Sequence, residues 1–327
     1  MDPFTHALGG YAIAKAMPKS PLPRGLVWLL VLLAMAPDAD YVLRLVSDTA
    51  YLQYHRGVTH SVLMLPLWTL LALSLFPRQR RTYPELPWLI GAVILCHIIF
   101  DLITSFGTMI FAPVSDARIA WDLVFIIDPL FSAMLAVPLA LGLWLRSYQR
   151  RLAAIALAAM TSYLALTVYN HQRALEITRE LFPQSSEVNA LPLPFSPFHW
   201  HLIATLPDHY MQSAINLLPG FPGSAIFFED EYVKRFLSPV RDYGNPSWAR
   251  QEALPQEMAG LDTLEEIVFF RWFARFPAIM RNEEQRLEIG DLRFGAGLWK
   301  PYPFVLNIER SAEPSADLEW NVAKPPS

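Results

Sequence analysis

Nine ionisable side chains, His6, Asp38, Asp40, His55, His60, His97, Asp101, Asp122 and Asp128, fall within the first 170 of 327 residues, inside or flush against long apolar runs. Taking such groups out of water is costly, so an ionisable residue at membrane depth marks a functional site by default. Neutral imidazole and carboxylate are also the donors that zinc, iron and manganese use. The residue types point first to a metal centre in a membrane protein.

The spacing of these groups adds chemistry. His97 and Asp101 are four apart in a segment that reads as helix, so both side chains reach one face and one ion; a histidine hydrogen-bonded to a neighbouring carboxylate gives the same spacing. In Ala36-Pro37-Asp38-Ala39-Asp40, proline interrupts an apolar run, and two acids two apart in an extended stretch face the same way. A helix cap accounts for one of them and not both. In His55-Arg56-Gly57-Val58-Thr59-His60-Ser61 the two histidines converge from a loop and from a helix start, Thr59 or Ser61 is placed to cap, and Arg56 is placed to bind an anion through two parallel hydrogen bonds. Asp122 and Asp128 flank the start of a further apolar run, with Pro129 suited to a first helical turn; taken alone, Asp128 reads as the cap of that helix before it reads as a ligand. His6, in Phe4-Thr5-His6-Ala7, is weak on its own and gains weight only from the other eight.

The elements that must position these residues are membrane helices. Residues 1–170 hold nine of the 30 acidic residues and the remaining 157 hold the other 21, so the solvent changes near Tyr169. Apolar runs at 26–46, 58–76, 86–106, 123–145 and 152–169 are each near the roughly 20 residues that span a bilayer core. About five spans are expected. The stretch 4–17 is too short to span and reads as re-entrant or interfacial; it is not a signal peptide, since Asp2 stands where a basic region belongs. Lys15, Lys19 and Arg24, then Arg78, Arg80 and Arg81, then Arg146, Arg150 and Arg151 mark alternate loops as cytoplasmic. The loops at 47–57 and 107–121 carry only Arg56 and Arg118, which puts the acid and histidine ends of the spans, and the chain after Tyr169, on the outer side.

The expected organisation is a membrane α-helical bundle over 1–170, a linker over 171–197, a small extracytoplasmic α+β domain over 198–312 and a loose tail from 313. Strand patterns appear at 198–213, 224–228 and 303–308, and an amphipathic helix at 264–276. His199 and His201 share a strand face and, with His209, are placed to close over the membrane site. If Trp200, Leu202 and Ala204 form the buried face, these histidines are solvated instead, and that is the favoured expectation. Cys96, the one cysteine, excludes an intrachain disulfide and reads as a small core residue. A net charge of −4 and the lack of a basic patch argue against nucleic acid, and the absence of internal repeats counts against common transporter folds.

Taken in order, Met1-Asp2-Pro3-Phe4-Thr5-His6 with Gly9-Gly10, Pro37-Asp38-Ala39-Asp40, the His55 to Ser61 block, His97-x-x-x-Asp101 with Gly107, and Asp122 with Asp128-Pro129-Leu130 resemble the bacterial membrane-bound metal-dependent hydrolases of the YdjM type. A fainter similarity, a His-x-x-x-Asp helix pair around a multi-metal site, is to the zinc-dependent phospholipase C and P1 nuclease group. The resemblance implies a multi-pass inner-membrane protein with metal-dependent hydrolase activity. Metal chemistry leads to the same class, because a divalent ion makes bound water nucleophilic near neutral pH and polarises a phosphoryl or carbonyl oxygen.

Nine candidate ligands exceed one tetrahedral site, so more than one ion is expected, zinc first and manganese or iron as alternatives. The ligands expected first are His97, Asp101, His55, His60 and Asp38, followed by Asp128 and His6; Asp40, Asp122, Asp128 and His6 are also placed to bridge ions, to orient a ligand or to act as base, and Asp40, Asp122 and Arg56 are expected in catalysis. The expected substrate is a lipid or other amphipathic phosphoester reached from membrane lipid. Two rival readings use the same residues: an ion or proton pathway, which needs polar groups continuing to the cytoplasmic side, and a non-catalytic protein with a structural metal and a partner-binding outer domain.

Overall fold

The structure, a computed structural model, describes residues 1–221, 237–258, 264–283, 286–294, 305–310 and 320–323. The chain divides into two units, Met1–Tyr169 with Pro192–Pro197, and Asn170–Leu191 with Phe198–Ser327.

The first unit is helical. Helix α1 (Pro3–Ala16) begins where its sequence says it should: Asp2 caps it, accepting from the Thr5 amide at 2.9 Å and the Thr5 hydroxyl at 2.7 Å, and Pro3 fills the first turn. Helix α2 (Arg24–Met35) tightens into a 3-10 segment over Ala36–Leu45. Pro37 explains the change, because it donates no hydrogen bond and crowds the preceding turn. After α3 (Asp48–Tyr54), a short 3-10 turn at Val58–His60 leads to α4 (Leu65–Ser74) and α5 (Pro77–Thr82). Helix α6 (Leu86–Leu102) forms the centre, followed by α7 (Pro129–Trp144) and the long α8 (Gln149–Leu181). Leu30, Leu86, Ile90, Val93 and Ile98 anchor one buried cluster, and Phe100, Phe131, Leu135, Ala153 and Ala156 a second.

Five apolar runs do not become five spans. Among the described residues two helices are long and apolar enough to cross a membrane, Arg24–Leu45 with 22 residues and Arg146–Leu181 with 36. A third is reached only if Asp48–His60 and Leu65–Ser74, bent by 76°, count as one broken span. Leu86–Leu102 has 17 residues and Pro129–Trp144 has 16, about 25 Å of helix each against a hydrocarbon core of about 30 Å. Hydropathy missed the breaks because apolar residues fill them. The Leu123 and Val124 amides donate to the Ile103 carbonyl at 2.8 and 3.0 Å, so residues that look helical in sequence serve as the stop for α6.

Close approach of α1 depends on two glycines. A Cβ on Gly9 would lie 2.8 Å from Cε2 of Phe100, and one on Gly10 would lie 2.5 Å from Cβ of Ala34. Any side chain at either position pushes α1 away from α6 or α2.

The second unit is the expected mixed α+β domain. Strands β1 (Glu187–Pro192), β2 (His199–Thr205), β3 (His209–Asn216) and β4 (Val240–Asp242) lie in that order, and β5 (Ala249–Glu252) also pairs with β3. The β2–β3 hairpin is antiparallel, with His199 opposite Asn216 and Thr205 opposite Tyr210. Helix α9 (Glu265–Phe273) packs through Ile267 and Phe270 on a second antiparallel sheet, β6 (Pro277–Glu283), β7 (Arg286–Asp291), β8 (Leu306–Arg310) and β9 (Trp320–Ala323). The expected strand at 224–228 lies outside the described residues.

Three expectations for this half are corrected. The linker over 171–197 is instead the end of α8 and strand β1, because Pro183 and Pro192 bracket regular structure rather than dissolve it. Within the expected tail, residues 320–323 pair with β8. His199 and His201 are 3% and 1% exposed, since β2 is buried on both faces. His201 Nε2 bonds Gln212 Oε1 at 2.9 Å, and His209 Nδ1 bonds Asp208 Oδ1 at 2.6 Å.

Two tests follow from these contacts. Gly10→Ala should lower the stability of the detergent-solubilised protein by about 1–3 kcal/mol, the usual range for overpacking, seen as a lower Tm. Burial pushes the His201 imidazole down to about 4 from 6.5. Between those values the unfolded chain binds the extra proton and the folded one does not. The stability that neutral His201 confers is therefore complete above about pH 6.5 and is lost as pH falls toward 4, by about 3 kcal/mol in full. His201→Gln should flatten that part of the pH dependence of unfolding followed by tryptophan fluorescence.

Candidate metal centre

Three helix ends meet at one place. His6 stands one turn into α1, Asp38 and Asp40 lie in the 3-10 segment after α2, and His97 and Asp101 occupy the last turns of α6. The loop after α3 adds His55, Arg56 and His60. Arg56 holds a left-handed backbone (φ 63°), uncommon for a side chain of its size. That conformation is held from several sides: its amide donates to Asp40 Oδ2 at 3.2 Å and its carbonyl accepts from Met109 at 2.8 Å.

Four ligand atoms converge. His60 Nε2 and His97 Nε2 are 3.0 Å apart. Asp101 Oδ2 lies 2.9 Å from His60 Nε2 and 3.3 Å from His97 Nε2, and Asp38 Oδ1 lies 3.4 and 3.6 Å from the same two nitrogens. Ligands about 2.0–2.1 Å from a tetrahedral ion stand roughly 3.3–3.4 Å apart, so these five separations bracket the edge of such a tetrahedron. The four residues form one group able to hold a metal ion, and Asp38, Asp40 and His55 form a second.

Hydrogen bonds on the far side of each ring set the tautomers. His97 Nδ1 lies 2.6 Å from the Ala34 carbonyl, which can only accept, so the proton is on Nδ1 and the Nε2 lone pair faces the centre. Thr59 Oγ1 donates to Asp40 Oδ2 at 2.7 Å and therefore accepts from His60 Nδ1 at 2.9 Å, which turns the second Nε2 lone pair inward. Asp101 Oδ2 accepts no hydrogen bond among the described residues. A proton at the centre would satisfy one pair of these atoms; a divalent ion satisfies all four. Outer partners of this kind are what metal-bound imidazoles require.

Charge balance comes from Arg56. Its guanidinium bonds Asp101 Oδ1 at 2.8 Å, Thr104 Oγ1 at 2.9 Å and the Asp101 carbonyl at 3.3 Å, and lies 4.9 Å over the Phe106 ring. The Met1 amino group also pairs with Asp101 Oδ1. The side chains of His6, His60, His97 and Asp101 have no exposed surface, whereas that of Asp38 is 22% exposed. The centre therefore opens at Asp38.

The structure redistributes several expected roles. Asp128 is a helix cap and not a ligand: Oδ1 accepts from the Leu130 and Phe131 amides at 2.9 and 3.0 Å, and Oδ2 accepts from the Tyr163 hydroxyl at 2.7 Å. Arg56, 2% exposed, positions Asp101 instead of waiting for a substrate anion. Both oxygens of Asp40 are engaged, Oδ1 with His55 Nδ1 at 2.7 Å, so this residue orients imidazoles. Asp122 is buried with φ 56°, between amides that cap the end of α6, and belongs to neither candidate group. Thr59 and the Ala34 carbonyl complete the site. Sequence offered Thr59 only as a helix cap, and no residue type signals a carbonyl.

The profile of the YdjM inner membrane protein family matches residues 1–174, more than half of the chain, and the chain belongs to that family. Among curated proteins it is similar to the uncharacterized protein YfhP of Bacillus subtilis (strain 168), 32% identical over 155 residues. That stretch covers 44% of this chain and 46% of the relative, so the chain spans less than half the length of this relative. No solved structure matches, and the fainter similarity to the phospholipase C and P1 nuclease group finds no support.

Two substitutions separate orienting from capping roles. Asp40→Asn should weaken metal binding by about 10–100-fold, as for other outer partners of ligating histidines, measured by chelator competition. Asp128→Ala should cost about 1–2 kcal/mol of stability through the lost cap and Tyr163 bond, with metal affinity unchanged.

Proposed function

We propose that this member of the YdjM inner membrane protein family is a membrane-embedded metal-dependent hydrolase acting on a phosphoester or lipid-like substrate. Its first ion is held by His60, His97, Asp101 and Asp38. The observation that carries this reading is the inward convergence of two Nε2 lone pairs and two carboxylate oxygens, five of whose separations lie between 2.9 and 3.6 Å. Two nitrogens and two oxygens suit zinc, with manganese and iron next.

Catalytic ions keep a position for water or substrate, whereas structural ions are closed. Three of the four side chains are wholly buried and the fourth, that of Asp38, is 22% exposed, so water and substrate would reach an ion there from the Asp38 side. An ion there supplies a nucleophile near neutral pH and polarises the substrate oxygen. Asp40, through Thr59, holds His60 in place, and Arg56 holds Asp101. Val42 and Leu45, on the same 3-10 segment as Asp38, and Val46 directly after it are 60%, 87% and 77% exposed. That apolar rim favours a substrate arriving from lipid.

Orientation is part of the same proposal. The helix ends opposite the site carry Lys15, Arg24, Arg78, Arg80, Arg81, Arg150 and Arg151, and Arg150 reaches the Lys19 carbonyl at 3.4 Å. With these cationic ends cytoplasmic, the protein is multi-pass, the site faces outward, and the chain after α8 is extracytoplasmic.

The test is elemental analysis of the detergent-purified protein beside His97→Ala, with a phosphoester screen on both. At least one divalent ion per chain, lost together with turnover in the variant, is the expected result. Folded wild-type protein without metal would sink the reading. Metal without turnover on any phosphoester would leave a structural centre.

A further inference from the structure

We propose a second cation site formed by His6, Asp38 and Asp101, in which the two carboxylates bridge to the first ion and His6 supplies the one nitrogen ligand. The inference rests on the first ion being present at His60 and His97. Its starting observation is His6 itself, 1% exposed, with neither ring nitrogen hydrogen-bonded among the described residues. Leaving a buried polar atom unpartnered costs about 1–3 kcal/mol. The ring is not free to turn away, because it is stacked on His97 with centroids 3.7 Å apart and planes 20° from parallel.

The atoms that His6 faces are the ones the first ion leaves over. Asp101 and Asp38 turn Oδ2 and Oδ1 respectively toward His60 and His97. Their other oxygens, Asp101 Oδ1 and Asp38 Oδ2, lie 3.4 and 3.9 Å from His6 Nε2. The longer separation is beyond hydrogen-bonding range, but ligands about 2.1 Å from a shared ion stand roughly 3.4 Å apart at tetrahedral angles and farther at wider ones. Each carboxylate thus presents one oxygen to each position, the arrangement that holds two ions roughly 3.5–4 Å apart. An ion there competes with the Met1 amino group for Asp101 Oδ1. Arg56 keeps its own tie to that oxygen, so the second site, with one nitrogen and two shared carboxylates, is the weaker of the two.

The second ion also defines the substrate class. Arg56 and one divalent ion would offset the three charges of Asp38, Asp40 and Asp101, and the Met1 amino group beside Asp101 is a further cation. A second ion leaves excess positive charge beside the opening at Asp38, and an anionic phosphoester neutralises it, with its entering and leaving oxygens held between the ions.

Manganese is the probe. Metal-free, detergent-solubilised full-length protein is titrated with Mn(II), bound metal is counted by elemental analysis, and electron paramagnetic resonance reports whether the ions are coupled. The expected result is two ions per wild-type chain, with the six-line spectrum of the first equivalent giving way to a broad exchange-coupled one at the second. In His6→Asn and His6→Gln, folding being checked by thermal unfolding, the second equivalent should bind at least about tenfold more weakly and the six-line spectrum should persist, while the first equivalent is little changed. A wild-type protein that saturates at one uncoupled ion overturns the second site and leaves the first intact. Variants that keep two coupled ions, or that lose both, overturn the role given to His6. The wild-type spectrum decides even if neither variant folds. Since no turnover is read, a failure of the hydrolase reading leaves this result standing.

Discussion

A carboxylate with no exposed surface, Asp101, is the constraint that the first unit is built around. An ionised acid that is fully desolvated is tolerated only if cations and donors surround it, and removing one partner leaves a buried unpaired charge. Arg56 supplies the guanidinium at 2.8 Å and His60 and His97 stand within 3.3 Å. These groups come from two distant parts of the chain. Helix α6 brings His97 and Asp101 together by their spacing of four, while the 55–60 loop must arrive from outside with Arg56 in a left-handed conformation that only such contacts would hold.

The cost of that arrangement falls on the backbone. Non-helical chain at membrane depth is tolerated where it is buried in protein or lines a polar cavity, and here the broken helix ends find their partners within the site. The Ala34 carbonyl takes His97 Nδ1, the Asp101 carbonyl takes Thr104 at 2.8 Å, and the Leu102 carbonyl takes the Trp121 amide at 2.8 Å. The same breaks that shorten α2 and α6 therefore deliver the ligands. A bundle of uninterrupted spans would have no such ends to offer. Gly9 and Gly10 complete the arrangement by letting α1 lie close enough for His6 to stack on His97.

What could be read from the residues alone follows the same division. The i, i+4 pair His97 and Asp101, the paired acids after Pro37 and the two histidines of the 55–60 block were legible, because type and spacing carry their geometry. Asp128 reads by itself as a helix cap and counts as a ligand only in company with the other eight; a cap and a ligand are the same residue type before a helix, and only the Leu130, Phe131 and Tyr163 contacts distinguish them. Arg56 was read as a substrate anchor because its chemistry is that of anion binding; that the anion is Asp101 is a tertiary fact. The count of spans failed in part because residues 123–127 are apolar and yet not helical. In the second unit the strands of 198–213 were legible from aromatic and apolar content, but alternation says nothing about a strand buried on both faces, and so His201 was expected in solvent.

The two arginines at the site end hold the loops around the centre. Loops at the site end carry Arg56 and Arg118, which a simple count sets against the cationic loops at the other end. Arg118 bonds the Gly107 and His55 carbonyls, both at 3.3 Å, as well as that of Leu52, and its guanidinium lies 5.4 Å from the centre of the Phe106 ring that Arg56 also covers. Gly107, at φ 92°, admits this side chain, since a Cβ there would stand 3.0 Å from Cβ of Arg118. Arg44 is offset by Asp48 at 3.3 Å. Cations held in this way anchor loops around the centre. The proposed orientation rests on the count itself, Arg56 and Arg118 in the loops at this end against Lys15, Lys19, Arg24, Arg78, Arg80, Arg81, Arg146, Arg150 and Arg151 at the other.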